Sequence, residues 1–161
     1  METHGTAKDR ESSAKMNSSV MFSSASDNWA TPKRLFDDLN AVFNFDLDAA
    51  ASDDNAKCQK YFTIAENGLA QSWHGNVWLN PPYGREIGAW VKKAYDEVMG
   101  GGASSVVLLL PARTDTTWYH DYCSKGIVLF LRGRLKFGNA KNSAPFPSMI
   151  VIFCKAFLSM K

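Results

Sequence analysis

Two apolar runs, Val77-Trp78-Leu79 and Ser105 to Leu110, flank a segment in which Ile87, Trp90, Val91, Ala94, Tyr95 and Val98 recur at helical spacing. A continuous apolar run, unlike an alternating one, belongs to a strand covered on both faces, which is the situation of a parallel sheet. Gly100-Gly101-Gly102 stops the helix and Pro111 ends the second run. The spacing therefore predicts a strand–helix–strand unit with parallel strands, expected to be right-handed, and an α/β domain around it.

The residues that leave the first strand are Asn80-Pro81-Pro82-Tyr83, followed by Gly84. Pro82 holds Pro81 extended and each ring fixes its own φ, so the Asn80 side chain and the Pro81 carbonyl are held in fixed directions. Two acceptors on a rigid turn match the two N–H groups of an exocyclic amine. Tyr83 adds a flat face on which a planar amide or base can stack. Such a site needs no charged catalytic base.

The remainder of the chain fits around this unit. Thr31 reads as an N-cap and Pro32 as the first residue of a helix carrying Leu35, Phe36, Leu39, Val42 and Phe43. Phe45 to Asp48 reads as a short strand with a carboxylate at its end, before the small residues Ala49, Ala50, Ala51 and Ser52. In open α/β sheets ligands bind outside the carboxyl ends of the strands, which places Asp48 on the ligand side. Tyr61 to Ile64 resembles another strand. Trp118, Tyr119 and Tyr122 begin a further helical stripe after Arg113, Thr114 and Asp115, with Asp115 reading equally as an N-cap. Ile127 to Leu131 reads as a buried strand. Arg132 to Phe137 alternates and, across a loop from Gly138 to Pro147, is expected to pair with Met149 to Phe153 as an antiparallel hairpin.

A chain of 161 residues with 45% apolar content is one domain's worth and can bury a real core. Residues 1–27 are Ser-, Lys- and Glu-rich without a sustained period and read as a mobile arm before a domain spanning 28–161. Three widely spaced cysteines, Cys58, Cys123 and Cys154, suggest neither a disulfide framework nor a zinc cluster, and a reducing cytoplasm is the expected home. No apolar run approaches the roughly 20 residues of a membrane span, so a soluble protein is expected. Net charge is +2, but up to Asp121 there are eleven Lys/Arg against sixteen Asp/Glu, and after it seven Lys/Arg and no acid. That basic C-terminal quarter reads as a phosphate-facing surface.

Asn80-Pro81-Pro82-Tyr83 resembles the catalytic motif shared by S-adenosylmethionine-dependent DNA adenine N6-methyltransferases and glutamine-modifying protein methyltransferases. The blocks Trp29-Ala30-Thr31-Pro32, Phe45 to Ser52, Leu108 to Asp115 and Gly133-Arg134-Leu135 are similar to the small phage-type DNA N6-adenine methyltransferase family, over roughly residues 28 to 154. The resemblance implies a somewhat truncated Rossmann-like methyltransferase sheet, mostly parallel, with a C-terminal antiparallel hairpin. It implies that Asn80, Pro81, Pro82 and Tyr83 are catalytic, and that Trp29, Thr31, Pro32, Asp48, Ala49, Ser52, Glu66 and Asn67 approach S-adenosylmethionine. The division of ribose and adenine contacts among Asp53, Glu66 and Asn67 stays open.

The activity implied is methyl transfer to the N6 amine of an adenine flipped out of double-stranded DNA, without a metal. Arg113, Arg132, Arg134, Lys136 and Lys141 are the expected DNA contacts. The chain has almost no room for a separate recognition domain, so relaxed specificity, or specificity supplied by a homodimer or by the C-terminal loop, is expected. A methyltransferase acting on RNA or on a protein glutamine would use the same turn, and a non-catalytic DNA-binding module could keep the fold.

Overall fold

A computed structural model of the chain describes residues 29–160. Helix α1, Lys33–Phe43, packs through Phe36 and carries the exposed i,i+4 pairs Lys33–Asp37 and Arg34–Asp38. It ends at Asn44, whose φ of 51° is the left-handed conformation in which an amide residue closes a helix. Val42, expected on the apolar face, is 77% exposed. Strand β1 is only Leu47–Asp48. Next come β2, Gly75–Leu79; α2, Ile87–Met99; and β3, Ala103–Pro111. The short helix α3, Thr117–Asp121, leads to β4, Ile127–Phe130, and then β5, Ser148–Cys154, and α4, Lys155–Leu158.

The strands form one sheet in the order β1-β2-β3-β5-β4. β1, β2 and β3 are parallel neighbours, with Asp48 opposite Trp78 and Trp78 opposite Val107. β5 runs antiparallel to both β3 and β4. The sheet is therefore mixed, and the expected predominance of parallel pairing is not met: two of the four pairings are antiparallel.

β3 shows why its sequence is uninterrupted. Val106, Leu108 and Leu110 pack with Val91, Ala94 and Val98 of α2 on one face, while Val107 and Leu109 pack with Phe36 of α1, Trp78 and Phe137 on the other. Alternate side chains of a strand point to opposite faces, and here both faces are covered. Fully burying one such side chain stabilises by roughly 1.5–3 kcal/mol, so this strand is the thermodynamic centre of the domain.

Several expectations are corrected. The terminal hairpin exists, but β5 pairs with β4 rather than with Arg132 to Phe137. In the latter segment Leu135 and Phe137 turn inward while Arg132, Arg134 and Lys136 are exposed. The alternation is thus that of a loop dipping into the core, with Gly133 at a φ of 74°. β4 is an edge strand and not a buried one, leaving Leu129 48% and Phe130 61% exposed. Tyr61 to Ile64 contributes a single bridge, Tyr61 to Asp48, in place of a strand. The cap of α3 is Thr116, which accepts from the Tyr119 amide at 3.3 Å, so Asp115 is not the N-cap. Pro32, not Thr31, precedes the first helical turn of α1, and no side chain caps it. The expected arm of residues 1–27 lies outside the described residues. Among the described residues no helix is long and apolar enough to cross a membrane.

Gly68 supplies a stability prediction. A Cβ there would stand 2.2 Å from the Ala49 carbonyl oxygen and 3.1 Å from the Trp90 ring. Backbone cannot yield as a flexible side-chain tip can, so Gly68→Ala is expected to destabilise by at least the usual overpacking cost of about 1–3 kcal/mol. A thermal melt within a degree or two of wild type would contradict that packing.

Candidate active site

The carboxyl ends of β1, β2 and β3 lie side by side, and each carries a residue singled out above. Asp48 ends β1, Asn80 follows β2, and Arg113 stands two residues past β3.

Asn80 is tied to a distant part of the chain. Its Nδ2 donates to the Trp29 carbonyl at 2.7 Å and to Thr31 Oγ1 at 3.2 Å. Its Oδ1 is buried and has no hydrogen-bond partner. Leaving a buried acceptor unpaired costs about 1–3 kcal/mol, so native structures rarely keep one without a reason. Pro81 is buried and Pro82 exposed, and the turn closes with the Gly84 amide donating to the Pro82 carbonyl at 3.1 Å.

Tyr83 is fixed at both ends. Its hydroxyl donates to the Leu109 carbonyl of β3 at 2.9 Å. Burial pushes its ionisation well above the ordinary tyrosine range, against the opposing pull of the Arg113 charge, so it is a neutral phenol. Its ring stacks on Trp29, with centroids 6.1 Å apart and 25° between planes. Phe146 meets it at 5.6 Å and Phe137 at 6.2 Å, both T-shaped. The last two partners were not assigned to the site from sequence, although Phe146 stands conspicuously between Pro145 and Pro147.

Asp48 is 3% exposed. Its carboxylate accepts from the Lys57 amide at 3.0 Å and from the Ala50 amide at 3.4 Å, which ties down the loop that follows β1. Burial raises its pKa from 3.8 to about 6, with those amides and the Lys57 charge pulling the other way. Ala49 is wholly buried and its amide donates to the Trp78 carbonyl at 3.0 Å. Ser52, in the same loop, has a buried hydroxyl oxygen with no partner.

The remaining assignments are more dispersed. Pro32 sits at the N-terminus of α1. Glu66 is exposed and accepts from the Thr63 amide at 2.7 Å and from the Thr63 hydroxyl, which lower its pKa. Asn67, with a φ of 55°, opens a 3-10 turn, and Asp53 accepts from the Tyr61 hydroxyl at 2.9 Å. Arg132, Arg134, Lys136 and Lys141 are exposed on the connection from β4 to β5. No ion pair among the described residues involves these four or Arg113. Lys141 lines a cleft of about 270 Å³ together with Trp29 and Phe137. No three His, Cys, Asp or Glu side chains among the described residues gather as metal ligands would.

A rigid amide turn beside aromatic rings and a buried carboxylate lie together at the carboxyl ends of strands in an α/β sheet, the end at which open α/β domains bind ligands. Comparison with known proteins gives the family. The family model described as DNA N-6-adenine-methyltransferase (Dam) matches residues 18–159, and the chain belongs to this family. A DNA N-6-adenine-methyltransferase of Haemophilus phage HP1 is 32% identical over 138 residues, covering 79% of this chain and 78% of that protein. One of Escherichia phage T1 is 38% identical over 98 residues, 59% of this chain, which spans only 40% of that relative's length. A putative methyltransferase, YfdM, of Escherichia coli K12 is 40% identical over 65 residues, 35% of this chain and 71% of that protein.

Proposed function

We propose that this chain is an adenine-specific DNA methyltransferase that transfers a methyl group from S-adenosylmethionine to the N6 amine of an adenine flipped out of the duplex. The observation that carries the reading is the buried, unpartnered Asn80 Oδ1, on the same turn as Tyr83, in a chain of this family. The five-stranded sheet is read as a shortened Rossmann-like methyltransferase sheet, its β1–β3 half opening onto the cofactor.

The residues present fit that cofactor. Asp48 offers a buried carboxylate to an ammonium group, and Ser52 a buried hydroxyl without a partner. When bound, the cofactor supplies an electrophilic methyl carried on a positively charged sulfur. The protein's part is alignment and an exposed nitrogen lone pair. Asn80 Oδ1 and the Pro81 carbonyl accept the two N–H groups of the adenine amine, drawing the nitrogen toward tetrahedral geometry. Tyr83, held by the Leu109 carbonyl, presents its ring to the base. Trp29, Pro32, Ala49, Glu66 and Asn67 line or support the cofactor side. Arg113, Arg132, Arg134, Lys136 and Lys141 hold phosphates while the base is out of the stack.

Labelled-methyl transfer assayed across duplex DNA, RNA and protein tests this. Label is expected on adenine N6 in DNA; label appearing on RNA or a glutamine side chain instead would replace the substrate, and none at all would leave a binding module.

Asp48 makes the reading pH-dependent. A carboxylate meeting an ammonium must be ionised, so S-adenosylmethionine affinity is expected to fall as pH drops through about 6. Asp48→Asn should bind the cofactor more weakly and lose that pH dependence in calorimetry. The stability of the free protein has the opposite sign. Because burial raises the folded pKa from 3.8 to about 6, the stabilising preference for the neutral form is complete below about 3.8 and lost as pH rises through 6. The loss amounts to about 3 kcal/mol and should be absent from Asp48→Asn.

A further inference from the structure

We infer that Thr31, acting with the backbone carbonyl of Trp29, is a positioning residue for methyl transfer: it holds the Asn80 amide so that only its oxygen is left for the substrate amine. The inference rests on the role proposed above for Asn80 and gives Thr31 a place other than the cofactor contact implied by family resemblance.

An asparagine amide can be turned over with little change of shape, which exchanges its acceptor for its donor. At Asn80 the surroundings forbid the exchange. The Trp29 carbonyl is an acceptor only, so the group 2.7 Å from it must be the NH₂. Turning the amide over would set two oxygens against each other without a proton between them. A hydroxyl can donate or accept, so Thr31 alone would not choose; its oxygen, 3.2 Å from Nδ2, engages the second N–H once the carbonyl has engaged the first. Both donors are then used and Oδ1 remains as a buried acceptor with no partner.

Thr31 is free for this task because it does not cap α1. It is 5% exposed, and Pro32 occupies the cap position with no side-chain hydrogen bond. The segment that carries it is held from three sides. The Gly138 amide donates to the Ala30 carbonyl at 2.8 Å, the Phe36 amide donates to the Pro32 carbonyl at 3.2 Å, and the Trp29 ring lies against Tyr83, Phe137 and Phe146. A site group is only as well placed as the residues behind it, and these supporting contacts come from the beginning, the middle and the end of the domain.

The test uses the full chain, duplex DNA containing adenine and labelled S-adenosylmethionine, in single turnover. Thr31→Val keeps the shape and removes the hydroxyl. It is expected to slow methyl transfer about tenfold, the order of one lost hydrogen bond, while calorimetric S-adenosylmethionine affinity stays within about twofold. Thr31→Ser, which restores the hydroxyl, should recover to within about threefold of wild type. In an Asn80→Ala background Thr31→Val should slow the reaction by less than about twofold, because the group it positions is gone. An equal penalty in both backgrounds, an unchanged rate for Thr31→Val, or a cofactor affinity weakened by more than about fivefold would each overturn the inference. If Thr31→Val melts below the assay temperature, Thr31→Ala gives the same comparison. A wild-type rate in Asn80→Ala alone would instead remove the proposed role of the amide, and this inference with it.

Discussion

Asn80→Ala is expected to abolish most methyl transfer while leaving S-adenosylmethionine binding nearly intact. In the proposed reaction the amide oxygen meets the substrate amine, whose N–H groups become more acidic as the nitrogen forms its new bond. A preorganised partner for developing charge is worth about 2–4 kcal/mol, by analogy with a lost oxyanion-hole donor, which corresponds to roughly 30- to 1000-fold in rate. The substitution also strips the Trp29 carbonyl and Thr31 hydroxyl of their Asn80 partner. Some loss of thermal stability is therefore expected alongside the catalytic one, and the two must be separated by assaying below the melt. A folded variant that turns over DNA within a few fold of wild type would show that the acceptor lies elsewhere. Cofactor affinity lost in parallel with rate would place Asn80 against the donor and not the amine.

What the sequence made legible follows from where burial is two-sided. β2, α2 and β3 could be read because Val77 to Leu79 and Val106 to Leu110 are covered on both faces and α2 presents one stripe to them. Arg132 to Phe137 misled because inward Leu135 and Phe137 alternate with exposed cations without any strand being formed. Periodicity reports which side chains are buried and not which backbone groups pair. β4 misled for the converse reason: an apolar tetrapeptide reads as interior, and only the sheet order shows it at an edge.

The site divides in the same way. Asn80 to Tyr83 could be singled out because two prolines and an amide are a local feature. The link from Asn80 to Trp29 and Thr31 spans about fifty residues and no spacing signals it. Phe137 and Phe146 reach Tyr83 only through the path of the long β4–β5 connection. Asp48 was legible as the residue ending a strand, but its service to the Ala50 and Lys57 amides depends on how the next loop folds back.

That same connection motivates the second large effect. It carries Arg132, Arg134, Lys136 and Lys141, all exposed and none ion-paired among the described residues, in a quarter of the chain without a single acid. It also supplies Phe137 and Phe146 to the rings around Tyr83, so a duplex lying along it would bring its phosphates close to the proposed base site. Each phosphate neutralised releases condensed counterions, and the logarithm of the affinity falls with the logarithm of salt by about 0.9 for each contact. Replacing all four cations with Ala should therefore flatten the salt dependence by about three to four units and weaken binding almost equally across DNA sequences, with cofactor affinity unchanged. Lys92 and Lys93 provide the control, because the structure already pairs them with Asp96 and Glu97 on α2. DNA affinity titrated against salt decides between the two surfaces. A slope flattened by Lys92→Ala/Lys93→Ala and left intact by the fourfold variant would move the DNA to the α2 face and separate it from the aromatic cluster.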